Sequence, residues 1–426
     1  MNNRIPKLWL RNGRETPVLA GHPWIFSKGI ETGPVNEDGK PAREVGLVKV
    51  YSGGKNFLGI GMYNPNTSIA LRMISLNKDD ENGFKVDSDF FVRKFKSLEN
   101  AKKEFLAAHS ARHGALASPA ETTSYRLVNA DADWLPGLII DRYENVFVFQ
   151  IHTAAMDKYR ELIVEALRDA FDPEAIVERS DIESRKSDGM ESLPVNIHYG
   201  KVDGPVKFSE NGVKFLADVL KGQKTGFFLD QREARKKVGD ISHGKRVLNL
   251  FSYTGGFGLY AALNGAKKVT TVDSSESALE LAQENFRLNG IKIDDKKNFE
   301  KYDFVCADVF DFLSDIKIGD YDIIVCDPPA FAKSNDKIDE AKKAYTSINR
   351  RCMDLLSPGG ILVTCSCSGR ITQEDFREIL KFTAGRSKKD MRILCSLTQP
   401  FDHTERVSFS EGRYLKTFVL QCLDNF

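Results

Sequence analysis

Cysteine is scarce in this chain, with 7 residues in 426, and all of them (Cys306, Cys326, Cys352, Cys365, Cys367, Cys395 and Cys422) fall in the last third. An odd number, absent from the first two thirds, excludes the disulfide framework of a small secreted protein. There is no Cys-x-x-Cys pair, and the 7 histidines are scattered, the nearest to Cys367 being His403. Ligand spacing for a structural zinc is therefore missing, and no metal is expected. No apolar run approaches the eighteen or so residues that a membrane span needs. The start, Met1 to Lys7, lacks the apolar stretch of a secretory signal, so a cytoplasmic location is expected. Charge of one sign is missing too: 61 Lys and Arg stand against 60 Asp and Glu, so the bulk balance does not mark a polyanion binder. There is no low-complexity tract and no internal repeat.

What is there is an ordinary globular composition, 41% hydrophobic and 28% charged, with length for two or three domains. Residues 1–75 hold 10 Lys and Arg against 5 Asp and Glu. Short apolar runs such as GLVKVYS and NFLGIGMYN alternate there with glycine turns, which predicts a small all-β barrel. A basic end on a neutral chain fits a phosphate-facing module, and equally a solvated surface. Residues 76–200 predict an α+β domain. It has a helix-compatible stretch over 77–112, two strands around Tyr143-Glu144-Asn145, a helix over 155–170, a strand at 175–178 and a charged loop over 180–192. From 201 to 426 the pattern changes. After a hairpin turning at Asn211-Gly212, strands alternate with helices over 256–263, 276–288 and around 339–356. That alternation predicts a doubly wound α/β sheet, closed by an antiparallel pair from RILCSLT and YLKTFVLQCL.

The first strand of that sheet runs into Asn249-Leu-Phe-Ser-Tyr-Thr-Gly-Gly-Phe-Gly258. Phe251, Tyr253, Thr254, Gly255, Gly256 and Phe257 therefore occupy the turn before a helix, where glycine admits close backbone approach and free N–H groups attract a ligand. Asp273, 17 residues beyond Gly256, ends the second strand beside Ser274, where a carboxylate is placed to accept ribose hydroxyls. Asp308 ends the next strand and is placed for an adenine amino group. Gly256 to Ala261 fits the relaxed G-x-G-x-x-A dinucleotide pattern. It starts late, however, and a cofactor without a pyrophosphate, S-adenosylmethionine, suits the looser loop better. Either acid on its own is more often a helix cap than a ligand.

A fourth strand ends in Asp327-Pro328-Pro329. The residue before a proline is kept extended, and two prolines remove two donors and leave carbonyls to accept. Asp327 with those carbonyls is suited to grip the amino edge of a nucleobase, with Phe331 stacking on it. A rigid proline turn with Phe331 in the core explains the same residues. On the next strand, Cys365 and Cys367 are two positions apart, with Cα atoms about 6–7 Å apart and side chains parallel, which disfavours a disulfide. Cys367, at the strand's end between two serines, suits an exposed thiolate nucleophile. Cys365 is also explained as a small core residue. A thiolate adding to carbon 6 of a pyrimidine makes carbon 5 nucleophilic. Such a thiol needs a nearby positive charge, for which Arg370 is the candidate by sequence proximity.

With these residues in view, the chain resembles the bacterial 23S ribosomal RNA large-subunit cytosine-5 methyltransferase I family nearly end to end. HPWIFSKGI and FLGIGMYNPNTSIALRMIS resemble its amino-terminal PUA domain, and RLVNADADWLPGLIIDRYENVFVFQ its central domain. KTGFFLDQREAR, VLNLFSYTGGFG, CDPPAFAKS, PGGILVTCSCSG and EGRYLK resemble its catalytic domain. The resemblance implies a Rossmann-like class I methyltransferase domain preceded by a PUA-type barrel and an α+β central domain. It implies methyl transfer from S-adenosylmethionine to carbon 5 of a cytidine in ribosomal RNA, with RNA as partner and a homodimer left open. Counted from Gly359-Gly360, its nucleophile falls on Cys367. Phe251 to Phe257, Asp273 and Asp308 would face the cofactor, with Asp230 and Gln231 close to it, and the base would lie near Asp327. Three alternatives stay open at this point: guanine-nitrogen methylation through the Asp-Pro-Pro loop, a non-catalytic RNA-binding or ribosome-assembly factor, and a dinucleotide-dependent oxidoreductase.

Overall fold

The computed structural model describes residues 5–111, 122–295, 298, 300–331 and 337–425. By compactness the chain divides into one unit of Met1–Gly212, Ala217–Leu229 and Phe401–Gly412, and a second of Val213–Leu216, Asp230–Pro400 and Arg413–Phe426.

The first unit opens with β1 (Lys7–Leu10), helix α1 (Thr16–Leu19), β2 (Trp24–Ile25), β3 (Ile30–Val35), β4 (Gly46–Tyr51), β5 (Phe57–Tyr63) and β6 (Leu71–Ser75). These strands form one sheet in the order β2-β6-β5-β4-β1-β3. Its alternating apolar residues, among them Leu8, Leu10, Val48, Val50 and Leu71, bury one core. The long helix α2 (Ser88–Ala111) follows. Then come β7 (Ser124–Asn129), β8 (Leu138–Tyr143), β9 (Val146–Ile151), α3 (Ala154–Asp157), α4 (Arg160–Phe171), β10 (Ala175–Glu178) and β11 (Asn196–Gly200). Their sheet has the order β11-β10-β9-β8-β7. A second apolar cluster joins the two sheets: Tyr51, Phe57, Ile60 and Ile74 share it with Phe91 and Phe95 of α2 and with Phe147, Phe149 and Leu167.

Two segments of this unit find partners far along the chain. Within the charged stretch 180–192, Arg185 is 2% exposed, donating to the Ile151 carbonyl at 2.6 Å and to Asp157 at 3.1 Å. Trp24 is committed to protein contacts. Its Nε1 donates to Asp131 at 2.9 Å, the Arg72 guanidinium lies 5.2 Å from its ring, and Phe409 packs edge-on at 4.8 Å. His22 faces the same Phe409 and Glu411. The segment Phe401–Gly412 is held further by Asn129, which donates to the Thr404 carbonyl at 3.0 Å, and by Ser408, which donates to the Gly21 carbonyl at 2.9 Å.

A hairpin of β12 (Val206–Glu210) and β13 (Val213–Ala217) follows, turning on two left-handed residues, Asn211 and Gly212. The second unit then alternates. Its elements are α5 (Arg232–Ile241), β14 (Arg246–Leu250), α6 (Gly256–Leu263), β15 (Lys268–Asp273), α7 (Glu276–Leu288), β16 (Tyr302–Cys306), α8 (Val309–Ser314), β17 (Ile323–Cys326), α9 (Ile338–Asp354), β18 (Ile361–Ser366), α10 (Gln373–Arg386), β19 (Lys389–Leu397) and β20 (Lys416–Asn425). The sheet order is β16-β15-β14-β17-β18-β20-β19. The first five are parallel, and β20 runs antiparallel to both of its neighbours, β18 and β19. The central strands IIVC and ILVTCS read as near-continuous apolar runs because helices cover both faces. The helices announce themselves locally: Ser275 caps α7, Thr372 and Asp375 form a capping box on α10, and α9 buries Ala341, Tyr345, Ile348 and Cys352 as one stripe. Among the described residues no helix is long and apolar enough to cross a membrane.

Candidate active site

Strand order places the site. From β14 the chain moves outward through β15 and β16, then crosses back to β17 and β18 on the other side, so the switch point lies between the carboxyl ends of β14 and β17. Leu250, Cys326 and Thr364 stand level across β14, β17 and β18. The residues that follow on two of them, Phe251 and Asp327, therefore leave the sheet along one edge, while β18 runs on through Cys365 and Ser366 before Cys367 leaves at its end.

On one side of the crevice lies the loop Phe251–Gly255. Three of its residues are left-handed, with φ of 52° at Phe251, 47° at Tyr253 and 74° at Gly255. Such conformations persist only when neighbours over-determine them. Here Tyr253 N–H donates to Asp273 Oδ2 at 2.7 Å, the Thr254 carbonyl accepts from Asn285 at 3.0 Å, and Gly255 N–H returns to the Ser252 carbonyl. Gly255 has a second reason to be glycine: a Cβ there would stand 2.8 Å from that of Ala282. Gly256 and Phe257 begin α6, which has no side-chain cap, so its first N–H groups remain for a ligand. Asp273 closes β15 with Ser274 beside it. Its other oxygen, Oδ1, accepts from Ser275 N–H at 2.9 Å, so it is aimed from two sides.

These residues fit an adenosyl amino-acid cofactor. The loop is rigid, a helix N-terminus stands open to a carboxylate, and Ser252 Oγ is buried without a partner among the described residues. Asp308 is found as the N-cap of α8. Its Oδ1 accepts from Phe310 N–H at 2.7 Å and Asp311 N–H at 3.2 Å, and Oδ2 takes no hydrogen bond among the described residues.

On the other side lies the reaction loop. Asp327 is half-buried, Pro328 buried and Pro329 exposed. Gln231, expected near the cofactor, donates to Asp327 Oδ1 at 2.9 Å. Its neighbour Asp230 accepts from the Tyr414 hydroxyl at 2.8 Å. Phe331 packs its ring edge-on against Tyr345 at 4.8 Å. Among the thiols the two candidates separate clearly. Cys365 is fully buried, 3.3 Å from Thr417 Oγ1, and burial together with the Asp327 charge pushes its thiol well up. Cys367 is partly exposed. None of the seven cysteines is in a disulfide, and no group of three or more His, Cys, Asp or Glu suited to a metal gathers among the described residues.

Among the described residues, three without an assigned role are linked to Ser368, the neighbour of Cys367, directly or through Lys416. Tyr345 shares a hydrogen bond with Ser368 Oγ at 2.9 Å. Burial pushes its hydroxyl up to about 12, so it stays protonated and able to donate. Tyr414 bonds to Asp230, as above. Lys416, 2% exposed, donates to the carbonyls of Ser368 and Tyr414, each at 2.7 Å. Burial lowers its ammonium to about 8, opposed by the charges of Cys367 and Asp375. It pairs across the sheet with Ser366. Arg370, the helper suggested by sequence proximity, is exposed, and among the described residues Lys416 is a second candidate, its ammonium being favoured by the charge of Cys367. The EGRYLK motif holds this lysine, but nothing local signals that the next strand brings it beside the thiol.

Comparison with known proteins agrees with this geometry. Residues 200–405 match the family of S-adenosylmethionine-dependent methyltransferases, and residues 8–76 a PUA-like domain. The chain is 39% identical over 416 residues to the ribosomal RNA large subunit methyltransferase I of Aeromonas salmonicida, covering 97% of this chain and 98% of that one. It is 37% identical to the protein of that name from Shewanella frigidimarina, with the same coverage. The solved structure of SMU.776, described as a methyltransferase complexed with SAH, superposes with a TM-score of 0.79 at 26% identity, covering 98% of this chain and all of that one (100%). The chain is thus a protein that uses S-adenosylmethionine, and it belongs to the ribosomal RNA large subunit methyltransferase I family.

Proposed function

We propose that this protein methylates carbon 5 of a cytidine in large-subunit ribosomal RNA, with Cys367 as the transient covalent nucleophile. The observation that carries this reading is the contrast between two cysteines on one strand: Cys365 is sealed, whereas Cys367 is partly exposed beside a buried ammonium. Methylation of a ring nitrogen uses a lone pair and calls for no thiol. Carbon 5 becomes nucleophilic only after a soft nucleophile has added at carbon 6. The relatives' name supports ribosomal RNA as substrate, and the PUA-like domain supports RNA contact by the amino-terminal sheet.

The chain's own residues take the following parts. Lys416 lowers the cost of the Cys367 thiolate, because a cation near a thiol favours its charged form. The thiolate bonds to carbon 6, and the electron pair released toward carbon 5 is oriented by the base's position in the crevice. Asp327, steadied by Gln231, accepts from the cytosine amino group, and the Pro328 and Pro329 carbonyls present further acceptors at the same edge. Phe331 borders that position. Phe251, Tyr253, Thr254, Gly255, Gly256, Phe257, Asp273, Ser274 and Asp308 seat the cofactor, with Asp230 steadying the neighbouring wall. S-adenosylmethionine, when bound, supplies an electrophilic methyl group. Loss of the carbon-5 proton then lets the Cys367–carbon 6 bond break, restoring the thiolate and the ring double bond.

The test is a covalent trap. Large-subunit ribosomal RNA transcribed with 5-fluorocytidine cannot lose a carbon-5 proton, so wild-type protein with S-adenosylmethionine should form an adduct that survives denaturation. The adduct should vanish in Cys367→Ser while S-adenosylmethionine binding, read by calorimetry, persists. A Cys367→Ser protein that still methylates RNA, with methylguanosine as the product nucleoside, would overturn the carbon-5 reading.

A further inference from the structure

Helices α9 and α10 of the second unit enclose a groove of about 1000 Å³ that plays no part in the site described above. Most of its lining residues are charged, whereas pockets that take small molecules carry few charged groups. Lys342, Lys343, Arg350, Arg351 and Arg386 stand against Asp354, Asp375 and Glu378. The acids are already engaged: Asp375 with Lys342 at 2.7 Å, Asp354 with Arg350 at 3.6 Å, and Glu378 with Lys381 at 3.1 Å. That leaves Lys343, Arg351 and Arg386 exposed and without an ion pair among the described residues. Lys343 and Arg351 are about 12 Å apart along α9 at 1.5 Å per residue. Across the groove Arg386 lies 4.3 Å from the ring centroid of Phe382, an aromatic side chain that is 55% exposed.

The direction of the groove follows from topology. Helix α9 comes after β17 and the Asp327 loop, and α10 comes after β18 and Cys367, so both begin at the catalytic edge of the sheet and run away from it. The Lys342–Asp375 pair marks the end near the site, and Arg351 and Arg386 the far end. Spaced, unneutralised cations with an exposed aromatic between them match the recognition pattern of single-stranded nucleic acid, in which cations take phosphates and an aromatic face takes a base.

We infer that the α9–α10 groove is an accessory RNA-binding track, in which Lys343, Arg351 and Arg386 hold the phosphates of the strand flanking the target nucleotide and Phe382 stacks on one of its bases. This rests on RNA being the substrate but not on carbon 5 being the target atom. None of the four residues belongs to the catalytic or cofactor machinery.

The test uses the full chain and a fluorescent single-stranded RNA of about 30 nucleotides, with anisotropy measured across a salt series. A protein carrying Lys343→Gln, Arg351→Gln and Arg386→Gln should bind less tightly than wild type at low salt. The slope of log affinity against log salt should be shallower by about 2, at roughly 0.7 per phosphate contact on a single strand. Phe382→Ala should weaken binding about tenfold without changing the slope. S-adenosylmethionine affinity and thermal midpoint should stay at wild-type values in both. Unchanged RNA affinity and slope would overturn the track, as would a wild-type dimer that the triple variant dissociates while RNA binding persists. Wild-type protein that binds no RNA would instead remove the reading of RNA as substrate.

Discussion

Lys416 Nζ donates to the Ser368 carbonyl at 2.7 Å, so a buried ammonium is anchored one residue beyond the partly exposed sulfur of Cys367. Its two carbonyl partners are neutral, and the charges acting on it come from Cys367 and Asp375. The lysine is therefore poised to repay its own desolvation when the thiol ionises.

That arrangement sets a pH dependence. Burial lowers Lys416 from 10.5 to about 8, so its charge is present below about pH 8 and lost above it. Support for the thiolate should fade over the same range, and the methylation rate should turn over near pH 8 where an unassisted thiol would keep gaining. Lys416→Arg, which stays charged, should carry the plateau to higher pH, and Lys416→Met should lower the rate about tenfold at pH 7.5. In the wild type the folded form binds fewer protons than the unfolded chain between about 8 and 10.5, so stability relative to Lys416→Met should rise with pH there. Rate and melting profiles from pH 6.5 to 10 check both signs.

The two cysteines of the strand should part company on substitution. Cys367→Ala should lose methyl transfer entirely while melting near wild type. Cys365→Ala opens a small buried void beside Thr417 and should cost about 1 kcal/mol of stability, with kcat within about threefold of wild type. Single-turnover assays together with urea melts distinguish them, and the opposite pattern would transfer the nucleophile to Cys365.

Gln231→Leu removes the donor that aims Asp327. A hydrogen bond to a charged group contributes about 1.5–3 kcal/mol, so kcat/KM should fall about ten- to hundredfold. S-adenosylmethionine affinity, measured by calorimetry, separates the two roles of Gln231: a change of less than twofold assigns it to Asp327, to which it donates, and a larger loss assigns it to the cofactor.

Gly255→Ala meets two obstacles, a φ of 74° and a contact of 2.8 Å with Ala282. Together they should cost about 1–3 kcal/mol and weaken S-adenosylmethionine binding by reshaping the loop. Differential scanning and isothermal calorimetry check the pair. Gly290→Ala, with positive φ but open space around its added methyl, should lower stability without touching the affinity.

The parts of the fold legible in the sequence are those signalled locally. Helix α6 begins at a glycine turn, α7 runs from the Ser275 cap to Asn289-Gly290, and Asn211-Gly212 turns a hairpin, so propensity and structure coincide there. The loop between β14 and α6 was legible for the same reason, because glycines, strand end and helix start are consecutive. What was not legible depends on partners far apart in the chain. Gln231 meets Asp327 across 96 positions, and Lys416 meets Ser368 because β20 inserts between β18 and β19. The charged run at 180–192 reads as a loop by composition, and composition does not show that Arg185 within it finds a carbonyl and a carboxylate that only the folded chain supplies. Asp308 carried both a ligand and a cap reading from the start, and its sequence position alone was unable to separate them.

Residues 401–412 rejoin the first unit after the chain has built nearly all of the second, and this has a consequence for biosynthesis. A nascent chain emerging from the ribosome in order leaves the surface around His22 and Trp24 without Phe409 until almost the whole message has been translated. β20, which completes the catalytic sheet, arrives later still. Premature termination near residue 400 would thus harm both units at once, and a truncated product should be unusually prone to capture by chaperones.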